Sequence, residues 1–443
     1  MPIILSPSQE TTCEAFRDFL LDDSQTEFLI SGFAGSGKSF LVKYLVEMAQ
    51  REYKLAKLID PALIIQGYHF TATTNKAAYV LSNMLQTPTN TIHKLLGLTV
   101  QNNFKTGKVN LVKKNDCADL NHTIVFIDEA SMITRELLGH IQGNISKHTN
   151  CKIVYIGDSY QLPPVKEVLC PIFQTDINNN FLSDIQRQVA GSPIIQLSTK
   201  YREMLDDHTL EWPEITDDGK IVFHYTDKEK WFDAIRTAYK APHLPDDLRV
   251  LAWSNDRIHE YNRWIRSFKG ETGDFAIGEI VQTNKPLIRK SRILAPTDSI
   301  HRILAIESTV VDDIPGYNIT INGIDSGNSC SVYQPIDWRE ANQLASQFAK
   351  DKNWTAFFEI KDEWADLRPI HAQTVHKSQG STYREVFIDL SNIGKNNKWQ
   401  EVARLVYVAI TRASHRVHLF GQLQNRYTKK PIKDLMEAFR HGA

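Results

Sequence analysis

The sequence predicts an α/β protein built on two doubly wound, mostly parallel sheets, each interrupted by an insertion. Short apolar runs rich in β-branched residues alternate with helical patterns in the first part of the chain, and the same texture resumes at Ile370. Between them, about Gly278–Ile336, lie short alternating runs broken by Gly, Asp, Asn and Pro, the pattern of a small β-barrel. Strands that alternate with helices give a parallel sheet covered on both faces.

In the first part, strands are expected at Glu27–Ser31, His69–Thr73, Thr123–Asp128 and Lys152–Gly157, with a helix from Lys38 to about Arg51. The Thr106-Gly107 turn between Leu98–Phe104 and Lys108–Val112 predicts a projecting hairpin, made basic by Lys105, Lys108, Lys113 and Lys114. A second α/β region opens near Phe181, with a strand at Arg249–Trp253 and a helix at Asp256–Phe268. After the barrel-like stretch, Trp338, Trp354 and Trp364 mark a helical segment of core and docking residues. Arg384–Leu390, a helix near Gln400–Ile410 and Val417–Gly421 complete the second sheet.

Composition sets outer bounds. The 443 residues suit about three domains. An apolar share of 42% and a charged share of 23% exclude a disordered or fibrous chain. No apolar run nears the ~20 residues of a membrane span, and MPIILSPSQE lacks the basic and apolar regions of a secretion signal. A cytoplasmic protein with no membrane partner is expected. Cys13, Cys117, Cys151, Cys170 and Cys330 form no CxxC, which argues against disulfide, zinc-ribbon and iron–sulfur frameworks. The net charge of −1 gives no sign of a polyanionic partner.

The chemistry begins at Gly32-Phe33-Ala34-Gly35-Ser36-Gly37-Lys38-Ser39, a complete G-x-x-x-x-G-K-[ST] between a strand and a helix. Such a loop turns backbone N–H groups and a helix N-terminus onto phosphates. Lys38 is placed to reach the β- and γ-phosphates, and Ser39 to ligate Mg²⁺. The strand Thr123–Ile127 ends in Asp128-Glu129, which supplies a carboxylate for Mg²⁺ and another to orient or deprotonate a water. The pair implies NTP hydrolysis. Gln161, after a further strand, is placed to sense a γ-phosphate.

Gly157-Asp158-Ser159-Tyr160-Gln161-Leu162-Pro163-Pro164, Gln373-Thr374-Val375-His376-Lys377-Ser378-Gln379-Gly380 and Tyr407-Val408-Ala409-Ile410-Thr411-Arg412 resemble strings of superfamily 1B. This is the 5′→3′ helicase group that includes the RecD-like and Dda-like enzymes, and the resemblance runs from about Gln9 to Arg416. It implies two RecA-like P-loop domains: 1A at 1–95 and 118–180, 2A at 181–277 and 366–443. A hairpin or pin insertion, 1B, would occupy 96–117, and an SH3-like barrel with a helical segment, 2B, would occupy 278–365.

The implied roles follow by position. Gln9, ahead of the first helix, would read adenine, favouring ATP. Gln379 and Gly380 join the ATP site. Arg187 and Arg412 would act as arginine fingers from the second domain. The strand track would comprise Thr74, Asn75, Lys76, Thr91 and His93 on the first domain, and Ser254, Asn255, Thr374, His376, Lys377 and Ser378 on the second. Phe104 would stack at the fork, or pack under its own hairpin. The cofactors implied are ATP and Mg²⁺. The partners are single-stranded and fork DNA, with a single-strand binding protein or replication and recombination proteins as further candidates, for a monomer. An RNA helicase of the same superfamily and an ATP-switched strand-binding protein are the competing readings.

Overall fold

Ser6 and Gln9 launch the first helix: the Ser6 hydroxyl accepts from the Gln9 N–H, and the Gln9 amide oxygen accepts from the Ser6 N–H. This capping box makes Gln9 the third residue of α1 (Pro7–Leu21), inside the helix rather than ahead of it. The computed structural model describes residues 5–56, 58, 65–107, 109–113, 118–164, 167, 169–185, 191–206, 212–289, 292–324 and 327–423.

The first sheet is built from β1 (Glu27–Gly32), β2 (Gly67–Ala72), β3 (Asn90–Thr91), β6 (Thr123–Asp128), β7 (Cys151–Gly157) and β8 (Asn179–Leu182). All are parallel, in the order β3-β2-β6-β7-β1-β8. Between β3 and β6 rises the expected hairpin, β4 (Leu98–Asn102) and β5 (Val109–Lys113). Successive residues of a strand face opposite sides, and β6 shows the result. Ile124 and Phe126 pack beneath α1 and α2 (Lys38–Ala56), with Phe16, Leu41 and Leu45. Val125 and Ile127 pack on the other face, with Ile92 of α4 (Ile92–Leu95) and Leu137 and Ile141 of α5 (Arg135–Ile145). Among the described residues, α3 (Asn75–Leu85) also packs on this sheet. β8 carries the first sheet to Leu182, past the expected boundary at 180, because Phe181 and Leu182 pair with Ser31 and Gly32 of β1.

The second sheet starts with α6 (Pro193–Asp206), β9 (Val222–Tyr225), α7 (Lys228–Lys240), β10 (Leu248–Ala252) and α8 (Asn255–Lys269). The expected helix at Asp256–Phe268 is α8, and its Ile258, Tyr261 and Ile265 are buried against Trp231 and Phe387. The chain then leaves the sheet for β11 (Ile280–Thr283), β12 (Leu287–Arg289), β13 (Arg292–Ala295), β14 (Ile300–Val311), β15 (Ile314–Gly323) and β16 (Ser329–Pro335). Next come α9 (Trp338–Lys350), α10 (Trp354–Phe358) and β17 (Leu367–Pro369). β17 pairs antiparallel with β11 and completes a five-stranded sheet, β16-β15-β14-β11-β17. The barrel-like texture thus extends beyond Ile336, through a three-residue strand too short to carry a pattern. Of the three tryptophans, Trp364 is buried against Tyr333, a core residue.

The chain re-enters through β18 (Ala372–Thr374), β19 (Tyr383–Asp389), α11 (Leu390–Ile393), α12 (Trp399–Thr411) and β20 (Ala413–Phe420). The second sheet is parallel, ordered β18-β10-β19-β20-β9. Where the insertion joins it, Arg266 donates to both oxygens of Glu279 at 2.8 and 3.0 Å, with Glu271 and His371 alongside. Burial pushes the His371 imidazole down to about 4. Glu271, Glu279 and His371 could hold a metal by spacing. The Arg266 guanidinium already neutralises Glu279 and abuts Glu271, so the cluster is a charge network bracing the junction. No described helix is long and apolar enough to cross a membrane.

Candidate nucleotide cleft and strand face

The phosphate loop leaves β1 and opens α2. Gly35 and Gly37 stand at φ +83° and +81°, the left-handed region that lets consecutive N–H groups turn inward. Lys38 folds back on the loop, its Nζ 2.8 Å from the carbonyl oxygens of Gly32 and Phe33. The Ser36 hydroxyl is buried without a partner among the described residues. Gln9 does not present its amide to a base: its Nε2 donates to Ser36 O at 3.2 Å while its Oε1 holds the Ser6 N–H. It braces the loop.

Ser39 Oγ lies 3.0 Å from Asp128 Oδ2, and Asp128 Oδ1 accepts the Glu129 N–H at 2.8 Å. Glu129 sits at φ 53°, ψ 43°, a left-handed turn that ends the strand and costs on the order of 1–3 kcal/mol. Burial raises both carboxyls above their ordinary values. The Asp128 charge raises Glu129 further, against the pull of Arg412 and Lys38. A hydroxyl and a carboxylate oxygen in contact suit a hard cation such as Mg²⁺, and a divalent charge would relieve the buried pair. Gln161 is buried, and its Oε1 has no partner among the described residues.

The second sheet closes over this site. Gln379 Nε2 donates to Leu162 O at 3.3 Å, and a Cβ built on Gly380 would lie 3.9 Å from Glu129 Oε1. Arg412 is buried and spends its guanidinium on its own domain, at Val408 O (3.2 Å), Ser381 O (3.2 Å) and Thr411 Oγ1 (3.4 Å). Arg187, with Lys108 and Lys114, lies outside the described residues.

Other contacts across the cleft come from residues to which sequence reasoning gave no role. Tyr407 of α12 donates to Asp158 Oδ2 at 2.8 Å and accepts the Ala34 N–H of the phosphate loop at 3.2 Å. Burial holds its hydroxyl far above the ordinary value, so it stays a donor. One turn earlier, Arg404 donates to Ser159 O and Gln161 O. Arg202 of α6 stacks 3.3 Å over the Phe33 ring. The available signal was spacing, since Arg404 and Tyr407 share a helix face at i, i+3.

On the strand face, Thr74 caps α3 and Thr91 caps α4, their hydroxyls accepting the Ala77 and Lys94 N–H groups. Asn75 opens α3. Lys76 points across the cleft, 5.5 Å from the Tyr383 ring centre. Burial and the nearby His140 lower the His93 imidazole. On the second sheet, Ser254 is fixed by Asn392, Asn255 accepts from Arg368, and the Thr374 hydroxyl accepts the Lys377 N–H. Ser378 does not face the groove: it is fully buried and donates to Val375 O at 2.7 Å. His376 lies 3.9 Å from Glu401 of α12.

The hairpin does not stand alone. Phe104 is half exposed and meets Phe358 edge-on at 5.2 Å, so it packs on the second insertion rather than under its own hairpin. Trp354 covers the Gly107 turn so closely that a Cβ there would fall 2.2 Å from its ring. Asn102 also donates to Asp362.

The profile of a family described as an AAA domain matches residues 5–222, and that of the UvrD-like helicase C-terminal domain matches residues 369–420. The RecBCD enzyme subunit RecD of Buchnera aphidicola subsp. Schizaphis graminum is 30% identical, over 88% of this chain and 70% of its own. The chain belongs to superfamily 1B of the helicases. It is an enzyme of the ATP-dependent DNA helicase class. A second superfamily 1B relative, the ATP-dependent DNA helicase dda of Enterobacteria phage T4, is 26% identical over 88% of this chain and 93% of its own. A solved structure of Pif1 helicases unwinding forked double-stranded DNA shares the fold at a TM-score of 0.50 and 15% identity, covering 99% of this chain and 97% of that one. The two parallel sheets are the two RecA-like domains of this superfamily.

Proposed function

We propose that this helicase translocates on single-stranded DNA, 5′→3′, and unwinds duplex DNA with the energy of Mg-ATP hydrolysis. The supporting observation is the division of one nucleotide site between two domains. The phosphate loop, Asp128-Glu129 and Gln161 belong to the first sheet, while Gly380 and Arg412 come from the second. Hydrolysis then needs the cleft closed, and strand grip on each domain follows the nucleotide.

In this reading Lys38 exchanges the Gly32 and Phe33 carbonyls for the phosphates of bound ATP. Ser39 and Asp128 would hold Mg²⁺, which when bound neutralises phosphate charge. Glu129 orients the attacking water and takes its proton, a role its raised carboxyl affinity for protons favours. Gln161, buried with an amide oxygen that no described residue satisfies, reports the γ-phosphate. Arg412 leaves its own carbonyls to meet developing charge, and Arg187 is assigned the same part by family position. Gln379 and Gly380 keep the two domains in register at the site.

Thr74, Asn75, Lys76, Thr91 and His93 form one strand platform; Ser254, Asn255, Thr374, His376 and Lys377 form the other. Residues 96–117 act as the pin, and 278–365 as an SH3-like module that holds it. Melting a base-pair step costs about 1.4 kcal/mol, within the ~1–3 kcal/mol that stacking on Phe104 returns. The Trp354 and Phe358 contacts keep that ring at the fork. Trp354→Ala should therefore slow unwinding by about tenfold, the loss of one step's offset, while DNA-stimulated ATP hydrolysis stays within twofold. Equal loss of both rates would refute the anchoring role.

Strand displacement from 5′- and 3′-tailed duplexes tests the function. Unwinding from the 5′ tail is expected, and unwinding only from the 3′ tail would overturn the polarity. Activity confined to RNA tails would overturn the DNA assignment, and strand binding without unwinding would overturn the motor.

A further inference from the structure

The groove on the second domain is lined by Asn255, Thr374 and Lys377 on one wall and by Gln282, Asn284 and Arg368 on the other. Both of its cations already hold carboxylates. Lys377 Nζ lies 3.3 Å from Asp298 Oδ1, and Arg368 holds Asp366 at 3.0 and 3.2 Å. Asn284 joins the pairs, donating to Asp366 Oδ2 at 2.6 Å and accepting from Lys377 through its carbonyl and amide oxygens. Arg368 also reaches Asn255 Oδ1 at 3.1 Å. A continuous polar bridge, Asn255–Arg368–Asp366–Asn284–Lys377–Asp298, therefore spans the groove from the second domain to its insertion.

A carboxylate oxygen and a phosphodiester oxygen are alternative anionic acceptors for the same cation. The Lys377–Asp298 pair is partly exposed, with side-chain exposures of 30% and 24%, and such pairs are weak and readily exchanged. We infer that Asp298 and Asp366 occupy the places of strand phosphates in the groove, so that single-stranded DNA enters by displacing them. They set strand affinity by competition and give the strand a way to be released. The inference rests on the proposed reading of this face as a strand track.

The consequence is a salt effect of known sign. A carboxylate freed by incoming DNA takes up a cation from solution and cancels one released from the strand. Without it, Lys377 adds a full phosphate contact, which steepens the fall of log K with log[salt] by about 0.7. Asp298→Asn should bind a fluorescein-labelled oligothymidylate about threefold to fivefold more tightly at low salt, with that steeper slope. Glu340→Gln on α9 removes the same charge away from the groove and should leave the slope unchanged. In a Lys377→Gln background, Asp298→Asn should have no effect. Asp298→Asn matching wild type or Glu340→Gln, or retaining its effect without Lys377, overturns the inference while the strand track stands. A wild-type protein with no salt-dependent binding of the oligothymidylate overturns the strand track itself.

Discussion

Lys38→Ala is expected to lower ATP hydrolysis by at least about 10³-fold while single-stranded DNA binding survives. The lysine is the side-chain cation of the phosphate loop, held within it by the Gly32 and Phe33 carbonyls. Removing one donor aimed at developing charge costs about 10²–10³, and a full ammonium facing a polyphosphate exceeds a neutral donor. The proposed strand platforms lie elsewhere, on α3, α4 and the Asn255–Lys377 groove, so DNA affinity without nucleotide should stay within about twofold, the range of a surface charge change. Hydrolysis within tenfold of wild type would remove Lys38 from the mechanism.

Arg412→Ala is the second large effect. An arginine finger contributes about 10³–10⁵ in rate, or ~4 kcal/mol and more of barrier. The buried guanidinium is held by Val408, Ser381 and Thr411 at the end of α12, the helix whose Tyr407 touches the phosphate loop. Arg412 is the C-cap of that helix, so both residues belong to one element. Single-turnover hydrolysis should fall by about 10³ with ATP affinity little changed, the pattern of an interaction made only in the transition state. A loss in ATP affinity alone would assign Arg412 to ground-state binding. Because its guanidinium also ties the Ser381 carbonyl to the end of α12, thermal unfolding of the variant separates catalysis from structural damage.

Much of the first domain was legible because its chemistry is local. The phosphate loop and Asp128-Glu129 each sit at the end of a strand buried on both faces, where apolar runs and turn residues mark the boundaries. Edge elements were less legible. β8 and β17 are short, and β17 pairs with a strand more than eighty residues earlier, which no local pattern encodes. Family position placed Ser378 on the strand track, but the one-turn helix at 376–378 directs its hydroxyl into the core. Gln9 was assigned to a base from motif order, whereas its amide is divided between a helix cap and Ser36. The contacts of Tyr407, Arg404 and Arg202 with the first domain depend on how two sheets meet. The grip of Trp354 on the hairpin depends on how two insertions meet. Neither can be read before the fold is known.

The net charge of −1 is consistent with a strand-binding motor once the groove is seen. Lys377 and Arg368 of the proposed track are each paired with a carboxylate, Asp298 and Asp366, and each such pair adds nothing to the sum over the chain.

Steady-state ATP hydrolysis by the wild-type protein, measured while a single-stranded oligothymidylate is titrated in, joins the nucleotide cleft to the strand face in one number. If strand binding draws the two RecA-like domains together and brings Arg412 to the phosphates, the rate should rise steeply and saturate with the strand. A rate that stays flat across a range where binding is complete would contradict a motor driven from this cleft.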